Sequence, residues 1–82
     1  MNHYVVIFDF VLDSMEGSTD VLGVAHTFEE AKEIFDKNVK SEREYAREHG
    51  WIIYEDNETC FDAGLSGRWC ESHTRLWIQK VI

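Results

Sequence analysis

Residues 27–50, TFEEAKEIFDKNVKSEREYAREHG, carry the signals of one long amphipathic helix. Thr27 followed by Glu30 is a T-x-x-E capping box, which satisfies amide groups that the first helical turn leaves unpaired. Glu29 and Glu30 sit where the helix dipole favours negative charge. Phe28, Ala31, Ile34, Phe35, Val39, Tyr45 and Ala46 recur at helical spacing and form one apolar stripe. Glu33–Lys37 and Asp36–Lys40 are i,i+4 pairs for the wet side. Gly50 stands where a left-handed glycine ends a helix. These signals predict a helix over 28–48.

Outward from it, the chain reads as strands. Before the helix, YVVIFDFVL (4–12) is β-branched and aromatic almost throughout. Val6, Phe8, Phe10 and Leu12 share one side of that strand, and Val5, Ile7, Asp9 and Val11 the other. DSMEGSTD (13–20) reads as the loop of a long hairpin, and VLGVAH (21–26) as a second strand in which Gly23 marks a bulge or a close backbone approach. After the helix, WIIYE (51–55) reads as a strand, DNE (56–58) as a turn, and TCFD (59–62) as a short strand. AGLSG (63–67) then turns the chain, and RWCE (68–71) is ambiguous. TRLWIQKVI (74–82) alternates, with Leu76, Ile78 and Ile82 on one side and Arg75, Trp77, Gln79 and Val81 on the other. The expected fold class is α+β: one long helix packed on an antiparallel sheet of four to five strands, in the order β-β-α-β-(β)-β.

A lone helix covers one face of such a sheet. The other face would carry Val5, Ile7 and Val11 from the first strand, with Trp77 and Val81 from the last. A contiguous apolar patch of this kind is an interaction surface. The expected occupant is a second copy of the chain, bound sheet to sheet or by strand addition. The alternative is that residues 59–72 fold over that face.

Composition agrees with a small globular domain. The 82 residues suit one domain, and so short a chain gains from a partner. The formal charge of −8 disfavours direct contact with nucleic acid and suits a basic protein partner. No basic n-region precedes the first apolar run, and that run is too short to span a membrane, so the expected location is cytoplasmic. Cys60 and Cys70 are then reduced thiols.

Few residue patterns suggest chemistry. Cys70 and His73 make a C-x-x-H spacing, but zinc wants a second close pair, and neither a metal nor another cofactor is expected. Asp9 interrupts an apolar strand and must be paired, protonated or at a solvated edge; an outward-facing residue or a partner for Arg75 or Arg68 is the favoured reading over a buried acid poised for proton transfer. FDAGLSG (61–67) could nest an anion but lacks the Gly-Lys-Ser/Thr of a phosphate-binding loop, and a two-glycine turn is the simpler reading. Arg68, Trp69, His73, Arg75 and Trp77 gather basic and aromatic side chains in an acidic chain and form the candidate ligand site, suited to a nucleotide or anion. No nucleophile–base spacing is readable, so catalysis is not expected.

The stretch IYEDNETCFDAGLSG followed by HTRLWIQKV, together with TFEEAKEIF and EYAREHGW, resembles a group of short acidic bacterial proteins of the kind carried by phages and mobile elements. Its most specific part is I-Y-E-D…F-D-A-G and then His73. The group has no assigned activity, so the resemblance transfers no functional residues. It implies an accessory, host-interaction or counter-defence role.

Overall fold

The computed structural model describes residues 3–12, 16–66 and 71–81. Among these are five strands and one helix: β1 (His3–Leu12), β2 (Glu16–Ala25), α1 (Phe28–Glu48), β3 (Ile52–Asp56), β4 (Cys60–Ser66) and β5 (Glu71–Val81). The strands form one antiparallel sheet in the order β2-β1-β5-β4-β3, and α1 packs on one of its faces, giving an α+β fold.

The helix ends where its local chemistry says it should. The Glu30 N–H donates to Thr27 Oγ1 at 3.2 Å. At the other end Gly50 adopts φ +69°, the Gly50 N–H donates to the Arg47 carbonyl and the Trp51 N–H to the Ala46 carbonyl. This is a Schellman closure, in which a residue without a Cβ takes the left-handed position. Among the described residues the i,i+4 ion pair along the helix is Lys32–Asp36, and neither of the expected pairs, Glu33–Lys37 and Asp36–Lys40, is formed.

The two strands that flank the helix in sequence, β2 and β3, lie at opposite edges of the sheet. The helix must therefore cross the whole sheet. Its 21 residues give a rod of about 32 Å, against roughly 19 Å between the edge strands at about 4.8 Å per strand. A diagonal crossing covers one face from edge to edge. The core lies under it: Val6, Ala25, Phe61, Ala63 and Leu76 from the sheet meet Ala31, Phe35, Val39 and Ala46 from the helix. At the β2 end a Cβ on Gly23 would stand 2.8 Å from Ile34 Cδ1. The expected close approach is thus made with the helix, and the β1–β2 register also slips beside it, between Val6 and Ile7.

The strand boundaries differ from the sequence reading chiefly in three places, one of them the start of β5, which begins at Glu71 rather than Thr74. Residues 16–20, expected in a loop, belong to β2, because β1 is long enough to pair with all of them, down to Leu12 against Glu16. Residues 63–66, expected in a turn, continue β4, because β5 starts at Glu71 and its first residues need a neighbour: Ala63 faces Thr74, Gly64 faces His73 and Leu65 faces Ser72. The alternative cover for the second face is thereby removed for residues 60–66, which lie in the sheet and not over it. The ambiguous stretch 68–71 lies outside the described residues except for Glu71. The β3–β4 hairpin closes as expected at DNE: Asn57 Oδ1 accepts from the backbone N–H groups of Thr59 (3.0 Å) and Cys60 (2.9 Å).

Two tests arise from this architecture. An added Cβ on Gly64 would lie 2.9 Å from the Ser72 carbonyl oxygen and 3.2 Å from His73 Cδ2, and backbone in mid-sheet cannot yield. Gly64→Ala is expected to cost about 1–3 kcal/mol, read as a lowered urea midpoint with an unchanged slope. Gly23→Ala meets only the end of a flexible Ile34 side chain and should cost less.

Arg43 grips Asp56 with two hydrogen bonds, of 2.8 and 2.7 Å, and so ties the helix to β3. Those bonds hold the Asp56 carboxyl below its ordinary value, against a smaller opposing effect of burial. A depressed folded-state pKa gives stability that is present above the unfolded value and is lost as pH falls through the folded one. Arg43→Ala should cost about 0.2–1 kcal/mol at pH 7, as expected for a partly exposed pair. The difference from the parent should shrink progressively as pH falls below the ordinary carboxylate range, in matched denaturant melts.

Candidate functional site: the open sheet face

Alternation along each strand divides the sheet into two faces. Even residues of β1 and β5 meet the helix side, where Val6 and Leu76 are fully buried and Tyr4 packs edge-on against Phe28 at 5.9 Å between ring centres. The odd residues therefore point the other way. Val5, Ile7 and Val11 of β1 and Trp77 and Val81 of β5, all expected at an interface, share this second face, as do His73 and Arg75 from the expected ligand cluster. No described segment covers it. Arg68 and Trp69, the other two members of that cluster, lie outside the described residues, as does Cys70.

The edge strands enlarge the face. Val21 pairs with Ile7 and Val24 with Val5, and these two valines are 61% and 64% exposed. On the far edge Ile52, opposite Gly64, and Tyr54, whose ring lies 3.5 Å from the position of a Gly64 Cβ, are each 57% exposed. The sequence offered a signal for them: the V-x-x-V of β2 and the Ile52 and Tyr54 of β3 needed only strand pairing to place them. Both edge strands carry irregularities, one opposite Val6/Ile7 and one between Ile53 and Glu55. Such bulges twist an edge away from further strand addition.

A polar row crosses the middle of this apolar surface. In register across the sheet stand Thr19, Asp9, Arg75, Asp62 and Glu55. Asp9 accepts a hydrogen bond from the Thr19 hydroxyl at 3.0 Å and lies opposite Arg75, which answers what a carboxylate does in that strand. His73 Nε2 is hydrogen-bonded to Asp62 Oδ1. The Arg75 guanidinium lies 5.1 Å from the centre of the Trp77 ring, and it also reaches Cys60.

Cys60 is buried on this side of the sheet, opposite Trp77. Burial pushes its thiol above the ordinary value; Arg75 works against that and Glu55 with it. A thiol held protonated is a poor nucleophile. Its role here is packing, as a small side chain between Trp77 and the polar row.

The fold and this face define a class: a two-layer α+β domain with a helix on one side of its sheet and an apolar surface, crossed by charge, on the other. No protein-family model, curated protein or solved structure matches the chain. No described helix is long and apolar enough to cross a membrane.

Proposed function

We propose that the chain is a small acidic interaction protein that works as a homodimer, two copies closing their open sheet faces on each other. The observation that carries this reading is the exposure of Val21, Val24, Ile52 and Tyr54 on the same face as Val5, Ile7, Val11, Trp77 and Val81. With a two-fold axis between β1 and β5 four strands overlap and β3 lies at the rim; at about 4.8 Å each, along strands of up to about 33 Å, they offer roughly 600 Å². That is at the low end of one partner's share of a standard stable interface, which centres on about 800 Å². The edge bulges favour face packing over strand addition.

The polar row also suits self-pairing. Asp9 and Arg75 are neighbours on β1 and β5. A two-fold axis running along the strands between them would set each Arg75 against the Asp9 of the second copy, the reciprocal contact that an isologous interface requires. An anion at His73, Arg75 and Trp77 would instead meet Asp62, Asp9 and Glu55 beside the guanidinium. The nucleotide or anion reading is therefore second, and a thermal-shift panel of nucleotides tests it.

In the dimer the helices face outward. Glu29, Glu33, Asp36, Glu44 and Glu48 are all exposed on α1 and present acidic surface to a basic protein partner. A host-interaction or counter-defence accessory role in the cytoplasm is consistent with that surface and with the resemblance to phage-borne proteins. Sedimentation equilibrium is the test. The expected result is a particle of twice the 9.6 kDa chain mass at micromolar concentration; a chain-sized particle at all concentrations would rule out the dimer.

A further inference from the structure

On the opposite side of the sheet, beneath the C-terminal half of the helix, Phe8, Phe10, Glu42, Tyr45, Trp51 and Thr74 line a pocket of about 250 Å³. Its walls are aromatic and set at angles to one another. Tyr45 and Trp51 meet at 90° with ring centres 5.3 Å apart, and Phe8 and Phe10 lie tilted at 5.3 Å. The volume exceeds the 150 Å³ that accommodates benzene, so a ligand of modest size fits.

Two polar groups of this lining have no partner among the described residues, the buried Thr74 hydroxyl and the half-buried Glu42 carboxyl. Thr74 is only 3% exposed, and its Oγ1 has no hydrogen-bond partner among the described residues. A buried hydroxyl left unpaired is costly and so calls for a partner. Glu42 has no ion pair among the described residues, and burial raises its carboxyl above the ordinary value. An anion here would meet the Glu42 carboxylate, which repels it. A neutral hydrocarbon would leave both polar groups unanswered. A cation answers all three features, since ring faces attract cations, a carboxylate pairs with them and a hydroxyl oxygen accepts from an N–H. The overall charge of −8 favours its approach.

We infer that this pocket binds an alkylammonium group that keeps at least one N–H, its charge between Glu42 and the rings of Phe8, Phe10, Tyr45 and Trp51 and its N–H on Thr74 Oγ1. The group could be carried by a free amine or by a lysine side chain. The site lies on the helix side of the sheet and stands whether or not the open face pairs.

The test is a titration of the full chain followed by the amide and Trp51 indole resonances. The probes are dimethylbutylammonium, tetramethylammonium, the uncharged 3,3-dimethylbutanol and the amide of N-acetyl-dimethyllysine. Dimethylbutylammonium is expected to give saturable shifts at Trp51 and Thr74 and to bind at least tenfold more tightly than the alcohol. Glu42→Gln should weaken both ammonium ions about tenfold. Thr74→Val, which keeps the shape and removes the unpaired hydroxyl, should weaken dimethylbutylammonium severalfold and leave tetramethylammonium unchanged, with no loss of thermal stability. Tighter binding of the lysine amide than of the free amine would assign the group to a peptide, and the reverse order to a small molecule. Equal binding of alcohol and ammonium, indifference to Glu42→Gln in a folded variant, or no saturable shift would overturn the assignment.

Discussion

Phe35→Ala is expected to remove most of the stability of this domain. Phe35 is buried in the one layer where helix and sheet meet, among Val6, Phe61 and Leu76. Truncating a buried phenylalanine costs about 3–5 kcal/mol, the lost transfer energy plus the cavity left behind. A domain of this length has only about 4–12 kcal/mol in total. The helix is held to the sheet by this stripe, so the deficit cannot be made up elsewhere. Thermal melts by circular dichroism should show a fall of at least about 12 °C, at about 4–8 °C per kcal/mol for a domain of this size. Phe35→Leu, which retains most of the volume, should fall by much less. A truncation that moves the melt by only a few degrees would mean that the helix–sheet layer is not the core.

The second large effect concerns association rather than folding. Val21 and Val24 are well exposed in the single chain, so the double variant Val21→Glu/Val24→Glu removes little from the monomer, within about 0.5 kcal/mol per site. In a face-to-face dimer the same positions are covered, and two buried carboxylates without partners on each copy are strongly unfavourable. The dissociation constant should rise at least a hundredfold, which corresponds to about 2.8 kcal/mol. The far-ultraviolet spectrum should be unchanged, which separates this result from unfolding. An unaltered dissociation constant would place any interface elsewhere.

How much of this was legible in the sequence depends on whether the deciding interaction is local. The helix bounds 28–48 were readable because both caps are local: Thr27 acts within three residues, and Gly50 closes the last turn. The two faces of β1 and β5 were readable because alternation has a fixed period. Residues 16–20 and 63–66 were misread because their strand state comes from long-range pairing. Gly17, Ser18, Gly64 and Ser66 have weak strand preference of their own, and the length of β1 and β5 overrides it. Gly64 is a case in point: it looks like a turn residue, yet it is required in mid-strand because the Ser72 carbonyl and the His73 ring leave no room for a Cβ.

The site divides in the same way. His73, Arg75 and Trp77 could be grouped from β5 alone, and Arg75 was one of two arginines foreseen for Asp9. Their carboxylate neighbours Asp62 and Glu55 required the β3–β4–β5 register, which no local signal supplies. Glu42 was passed over although the helical period points to it. Phe35, Val39, Glu42 and Ala46 are spaced by three or four residues, so the stripe itself carries a carboxylate to the sheet.

The pairing of open faces is tested most directly by isotope-filtered NOE spectroscopy on a mixture of labelled and unlabelled chains. Cross-copy contacts are predicted among the methyl groups of Val5, Ile7, Val21 and Val24 and the Trp77 ring, with none from the helix methyls of Val39. Contacts that come from the helix instead, or no cross-copy contacts at a concentration where the chain is fully associated, would contradict it.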